Sequence, residues 1–349
     1  MTGDFTFLFS KHPVYLIFWV TGACNFSCAH CFNHTRNNTG RDLDIDEIQR
    51  ISKNMGHIKY LTLAGGEPLL RDDLAEIAKI FYTNNDVHML NLVTNGWMSE
   101  KAEKDVARIL TDCPGVHISV GVSVDGPAPV HDHLRSKPGS FNHALETINR
   151  LKRNPHYGKR LTVAACGTYS AANALSLLDL ALFFQEKMAV PYYVGLIRGK
   201  NVPDMGLMDI DADHYKKVVD EIGFRINTKL VKHYPFKHVR VAVDQVVSDI
   251  IYKSLKQNKQ TVSCKAGQKG FVLTADGDVL LCEILNTVLG NVRDHGYSPY
   301  KILASEKSKS AMREIMKNRC HCTWECFQRL NVVFSPVLYP RVLVEMLFH

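Results

Sequence analysis

Along the first two hundred residues two periods alternate. Apolar, β-branched runs of strand length recur at Val14–Thr21, Ile58–Ala64, His88–Thr94, His117–Val124, Arg160–Thr168 and Pro191–Arg198. Between them lie helical patterns preceded by capping residues: Asp44 before Ile45–Met55, Asp72 before Leu74–Tyr82, Ser99 before Ala102–Leu110, Ser140 before Ala144–Leu151 and Asn173 before Leu175–Phe184. Six βα units with continuously apolar strands predict an α/β protein with a parallel sheet covered by helices. Right-handed crossovers then curl it into a barrel or partial barrel, with an open doubly wound sheet as the alternative. The alternation stops after Arg198. A Gly/Pro/Asp-rich stretch, Gly199–Asp209, leads to helices expected near Ala212–Lys232 and Lys237–Lys256, then to a cysteine-bearing tail with a hairpin signal at Asp276–Gly277–Asp278. A boundary near Lys232 divides the chain into a barrel, 1–232, and a smaller C-terminal domain, 233–349.

Length and composition fit that picture. A chain of 349 residues exceeds one ordinary core and suits a barrel plus an appendage. With 46% hydrophobic and 22% charged residues it is neither collagen-like, coiled-coil nor wholly disordered. The net charge of +7 is spread without blocks, which does not point to nucleic acid and is compatible with an anionic cofactor or small substrate. The apolar start Val14–Val20 is too short to span a bilayer and lacks a basic leader and a cleavage site, so neither a transmembrane segment nor a signal peptide is expected and the protein reads as cytoplasmic. Ten cysteines in a reducing compartment read as metal ligands or redox groups rather than disulfides.

Their spacing carries the chemistry. Cys24, Cys28 and Cys31 form C-x3-C-x2-C at the end of the first strand. Iron–sulfur clusters normally take four cysteines, so three on one tight loop leave one iron open to an exogenous group. The alternative is a zinc site completed by His30 or His34. At the end of the second strand stands Gly65-Gly66-Glu67-Pro68. Its glycines permit close backbone approach, and its carboxylate can accept hydrogen bonds from an ammonium group. Both motifs sit at carboxyl ends of strands, where barrel active sites are built.

In this arrangement the chain resembles the radical S-adenosylmethionine (radical SAM) enzymes, marked by C-x3-C-x2-C after the first strand of a partial (β/α)6 barrel of TIM type. The resemblance implies that Cys24, Cys28 and Cys31 hold a 4Fe-4S cluster whose open iron chelates S-adenosylmethionine, and that reduction by a flavodoxin or ferredoxin-type protein cleaves this cofactor to methionine and a 5'-deoxyadenosyl radical. It further implies cofactor contacts from Gly65, Gly66 and Pro68, with Glu67 on the methionyl amino group. The resemblance also implies a cofactor contact from Asn95, in Thr94-Asn95-Gly96 at the end of the third strand, and gives the ribose and carboxylate contacts to Ser123 and Arg135, whose alternatives are a strand-end turn residue and an ordinary solvated cation. His30 packs beside the cluster or adenine, or is a structural loop histidine. Leu196 packs on the adenine, or is a core leucine.

In the tail, Cys264 and Cys282 enclose Gly277 as C-x12-G-x4-C, and Cys320, Cys322 and Cys326 follow as C-x-C-x3-C. This resembles the SPASM extension and its shortened twitch form, which hold auxiliary iron–sulfur clusters. The seven-cysteine pattern is incomplete, so one cluster is expected, from Cys264, Cys282, Cys326 and either Cys322 or Cys320; a structural zinc is the rival. Cys113 and Cys166 have no partners at ligand spacing and read as core thiols. Glu283, directly after Cys282, is either an exposed hairpin residue or a base for substrate oxidation, as in relatives that maturate sulfatases. The resemblance implies a peptide or small metabolite as substrate. A non-catalytic iron–sulfur scaffold or carrier is the alternative, and retention of the cysteine loop and Glu67 speaks against it.

Overall fold

The computed structural model describes residues 6–36, 41–199, 202–230, 237–318 and 320–348. The six expected strands are present as β1 Tyr15–Thr21, β2 Tyr60–Gly65, β3 Met89–Thr94, β4 His117–Ser123, β5 Leu161–Tyr169 and β6 Tyr192–Leu196. They pair in chain order, every pair parallel. Helices cover the sheet, as a strand apolar on both faces requires: α1 Ile45–Lys53, α2 Leu74–Asn85, α3 Ser99–Asp112, α4 Ala128–Leu134, α5 Ser140–Lys152 and α6 Leu177–Phe183. The result is a partial (β/α)6 barrel.

The sheet continues past β1. Strand β7, Gly270–Leu273, lies parallel to β1 in register from Tyr15 opposite Gly270 to Phe18 opposite Leu273. Strands β8, Asp278–Leu280, and β9, Val288–Asn291, then extend the sheet antiparallel. The turn between β7 and β8 is the one predicted, with Gly277 at φ +90°, a conformation that suits glycine. Because β1 has a neighbour on both sides, Leu16 to Val20 are all buried. One apolar cluster therefore runs from the barrel strands into the tail, reaching Trp324 and Phe327.

Of the expected caps, Asp44 closes a reciprocal capping box with Glu47 at the start of α1. The others differ. Asp73, not Asp72, precedes α2, and Asp72 instead pairs with Lys101 at the surface. Ser99 and Ser140 are the first helical residues rather than caps, and the Ser140 hydroxyl donates to Asp132. Asn173 precedes a 3-10 turn, and its amide donates to the Asp125 carbonyl. The helix α7, Ala212–Asp220, gives way to a wider π turn over Glu221–Ile226. The boundary expected near Lys232 lies outside the described residues.

The helix α8, Lys237–Gln257, packs against α7 and two tail helices, α11 Glu325–Val333 and α12 Tyr339–Phe348, with α9 Pro299–Leu303 and α10 Glu306–Lys317 preceding them. The apolar C-terminal segment thus docks on α8, aided by Arg341 on Asp249. Among the described residues no single helix is long and apolar enough to cross a membrane.

Candidate functional site at the barrel mouth

The carboxyl ends of β1 and β2 are stitched together by backbone. Gly66 N–H donates to the Thr21 carbonyl and Glu67 N–H to the Ala23 carbonyl, both at 2.8 Å, so the Gly-Gly-Glu-Pro turn lies directly under the cysteine loop. No side chain fits between them: a Cβ on Gly66 would stand 2.0 Å from the Ala23 carbonyl oxygen. Glu67 is buried and accepts from Leu69 N–H at 3.2 Å, Thr94 Oγ1 at 2.7 Å and Asn95 N–H at 2.7 Å. It therefore joins the ends of β2 and β3. A carboxylate offers about four acceptor positions, so a further donor can still be taken. Asn95 in turn donates to Asn25 in the cysteine loop at 2.8 Å.

Opposite lies a buried ionic group. Asp125, after β4, is fully buried and its Oδ2 accepts from Arg135 Nε at 2.6 Å; His30 Nε2 stands 3.6 Å from the same oxygen. Burial alone would raise the Asp125 pKa, but Arg135 and then His30 outweigh it and hold the carboxyl well below its usual range. Arg135 also reaches Cys28 Sγ at 3.9 Å, bringing a cation to one of the three thiols. Burial lowers His30 to about 4, so its ring is neutral at pH 7. Ser123 and Leu196 are both buried at strand ends, and the Leu196 N–H donates to Glu325 at 2.7 Å.

His131 is fully buried, accepts the Asp125 N–H at 3.0 Å through Nδ1, and is lowered to about 4 by burial. A histidine that stays neutral when folded but protonates near its ordinary value when unfolded makes stability rise with pH between those values. Stability from this group is complete above about pH 6.5 and falls as the pH drops. Lowering the pH from 7.5 to 5.5 should cost about 1.4 kcal/mol from His131 alone. Urea unfolding at the two pH values should show this difference shrinking in His131→Asn, which can still accept the bond without titrating.

Burial raises the thiols of Cys24, to about 11, and Cys28, while the Phe26 N–H opposes this at Cys24 and Arg135 opposes it at Cys28. Such thiols become thiolates only with a metal to bind, releasing protons as they do so. The tail repeats this environment. The sulfurs of Cys264, Cys282 and Cys322 accept N–H bonds from Ala266 at 3.5 Å, Leu285 at 3.5 Å and Trp324 at 3.3 Å. All three thiols are raised chiefly by burial, Cys282 to about 12, and by one another and Cys320. This makes a neighbourhood of four, Cys264, Cys282, Cys320 and Cys322. Among the described residues no three His, Cys, Asp or Glu side chains are drawn to the spacing of a single ion. Three thiols with a neighbouring cation, and four thiols of which three accept backbone N–H bonds, are donor sets that fit iron–sulfur clusters.

Cys326 has other company. Its charged neighbours are Arg198, Glu325, Glu283 and Arg329, and it contacts the Tyr15 hydroxyl on β1. Glu283 is buried, not an exposed hairpin residue: its Oε1 accepts from Trp19 Nε1 at 2.7 Å, and burial raises its pKa. Cys113 is buried in the core, while Cys166 is partly covered beside Asp125 and Cys326. Arg198 and Glu325, which sequence reasoning passed over, meet in the same place, Nη1 to Oε2 at 3.7 Å. Only the fold brings β6 to the start of α11, so no local spacing signals this pair.

Two sequence profiles match the chain, that of the radical SAM superfamily over residues 20–163 and that of the SPASM iron–sulfur cluster-binding domain over residues 264–327, together more than half its length. The chain belongs to the radical SAM superfamily. It is an enzyme of the SPASM-bearing kind, with S-adenosylmethionine and 4Fe-4S clusters as cofactors. An AdoMet-dependent heme synthase of Methanosarcina barkeri is 25% identical over 319 residues, 87% of each chain. The sporulation killing factor maturation protein SkfB of Bacillus subtilis is 24% identical over 287 residues, 80% of this chain and 62% of its own length. Among solved structures, anSMEcpe with bound AdoMet superposes with a TM-score of 0.62 at 16% identity, covering 97% of this chain and 96% of that one. SuiB of Streptococcus suis bound to precursor peptide SuiA gives 0.61 at 12% identity, covering 86% and 67%.

Proposed function

We propose that the protein reductively cleaves S-adenosylmethionine at the barrel mouth and oxidises a peptide or small metabolite lying between that mouth and the tail thiols. The observation that carries this reading is the position of Arg198, which stands between Phe32, next to Cys31, and Trp324, between Cys322 and Cys326. A substrate there lies between the two thiol groups. When bound, the cluster and S-adenosylmethionine supply a radical that removes a substrate hydrogen atom.

The chain's own residues hold and orient. Cys24, Cys28 and Cys31 ligate the barrel cluster; Gly65, Gly66 and Pro68 let backbone approach the cofactor. Glu67 fixes the mouth through Thr94 and Asn95 and has acceptor capacity left for an amino group. Ser123, Asn95, His30 and Leu196 line the cofactor's side, and Arg135, tied to Asp125, presents a cation for its carboxylate. Glu283, raised by burial and oriented by Trp19, takes the proton lost as the substrate is oxidised. Cys264, Cys282, Cys320 and Cys322 would hold the auxiliary cluster, which would supply the acceptor for the electron that leaves the substrate with that proton. The heme synthase and SkfB support, respectively, a tetrapyrrole and a peptide as substrate classes.

Anaerobic reconstitution with deuterated tetrapyrroles and peptides, following deuterium into 5'-deoxyadenosine, tests this. Transfer from one candidate is expected. A reconstituted, reduced protein that releases no 5'-deoxyadenosine would refute the reading and leave a carrier.

A further inference from the structure

Beyond the end of β6, Arg198 is partly buried with its guanidinium carbon 5.0 Å from the Phe32 ring centroid and 5.6 Å from that of Trp324. Its contact with Glu325, at 3.7 Å, is longer than a hydrogen bond. Two donors here are orphaned: the Nε of Arg198 and the Nε1 of Trp324 are both buried with no hydrogen-bond partner among the described residues. An unmet buried N–H is costly, and two on neighbouring side chains ask for one shared remedy.

Their chemistry defines that remedy. Guanidinium and indole are donors only, so the complement is a group made of acceptors. A carboxylate matches the planar fork of arginine with two parallel bonds, and aromatic faces on either side hold that fork flat. Glu283 and Glu325 lie close to Arg198, which weights the site against a dianion such as a phosphate ester. Glu325 sits where an internal carboxylate would compete for the same guanidinium, yet its Oε1 is engaged by the Leu196 N–H.

We propose that Arg198, with Trp324 beside it, anchors a carboxylate of the substrate. This rests on the reading that substrate lies between the barrel mouth and the tail thiols. The carboxylate orients the substrate while leaving its oxidisable carbon free to face the barrel. Two sources share this chemistry, the propionate of a tetrapyrrole and an acidic side chain of a peptide.

The test uses the reconstituted holoenzyme saturated with S-adenosylmethionine. Equilibrium binding is measured for coproporphyrin III against its tetramethyl ester, and for acetyl-Ala-Glu-Ala-amide against its Gln counterpart. In at least one pair the acid should bind about tenfold or more tightly than the neutral form, the worth of a charge-assisted pair, and which pair responds identifies the source. Arg198→Gln should reduce that preference to about threefold or less, with Arg198→Lys intermediate because it keeps the charge and loses the fork. Glu325→Gln, which removes the competing acid, should enlarge it. The wild-type preference needs no variant, and Glu325→Gln decides if Arg198→Gln does not fold.

Equal binding within both pairs, a preference untouched in soluble Arg198→Gln, or displacement of the acid by equimolar inorganic phosphate would each overturn the proposal. So would a preference that disappears when S-adenosylmethionine is bound, since the carboxylate would then be the cofactor's. Release of 5'-deoxyadenosine is followed in the same wild-type preparation. Cleavage without acid preference overturns the Arg198 anchor alone, and absence of cleavage overturns the function on which it rests.

Discussion

Gly66→Ala should strip the barrel of its iron and lower S-adenosylmethionine cleavage at least about 100-fold, although it alters no ligand. The added Cβ would meet the Ala23 carbonyl oxygen at 2.0 Å, the Ala23 carbonyl carbon at 2.6 Å and the Gly22 oxygen at 3.1 Å. All three atoms are backbone of the cysteine loop, so no rotamer relieves the contact. The strand-end bonds of Gly66 to Thr21 and Glu67 to Ala23 leave the two loops no room to separate without breaking. Displacing the loop by an ångström or more moves Cys24 and its neighbours out of a common geometry. Iron analysis should find the tail's share retained, which separates a local effect from general unfolding, and Cys28→Ala provides the reference for a lost ligand. A Gly66→Ala protein with full iron and normal cleavage would show that the loop adapts and that the close approach is incidental.

The second large effect separates the tail cysteines. Cys282→Ser and Cys322→Ser should each lower iron from about eight to about four atoms per chain, whereas Cys326→Ser should keep about eight. The reason is placement. Cys282 and Cys322 influence each other and Cys264 and Cys320, and accept backbone N–H bonds. Cys326 lies among Arg198, Glu325 and Glu283, on the side facing the barrel. Some cleavage of S-adenosylmethionine without substrate should persist in Cys322→Ser, because the barrel loop is built from other strands, while product formation is lost. Iron falling to about four in Cys326→Ser would return that residue to the ligand set, and wild-type protein with about four irons and one zinc would replace the auxiliary cluster by a structural ion.

What was legible in the sequence is what is local. Six strands and the cysteine loop follow from runs of residues that signal themselves, and Asp276–Gly277–Asp278 marked its own turn. Caps were harder, since Asp72 and Asp73 are equally good letters and only packing chose between them. The remaining features are decided by residues far apart. A turn signal between β7 and β8 cannot say that β7 will lie against β1, spacing cannot divide Cys320 from Cys326, and the burial of Glu283 depends on Trp19, which lies on β1. Arg198 left no trace because its meaning comes from Phe32 and Trp324, one in each cysteine region.

The pairing of β1 with β7 also orders events during synthesis. The segment around Ile17 finds β2 soon after it is made, but its other edge waits for the much later Val272. Until then a fully apolar strand presents unpaired N–H and C=O groups, a template for pairing with other chains. Contacts so distant in sequence form slowly, and partly folded chains with open edges are prone to aggregate. Truncation before β7 should accordingly yield insoluble protein rather than a working barrel, and the nascent chain needs shielding until Val272 has been made.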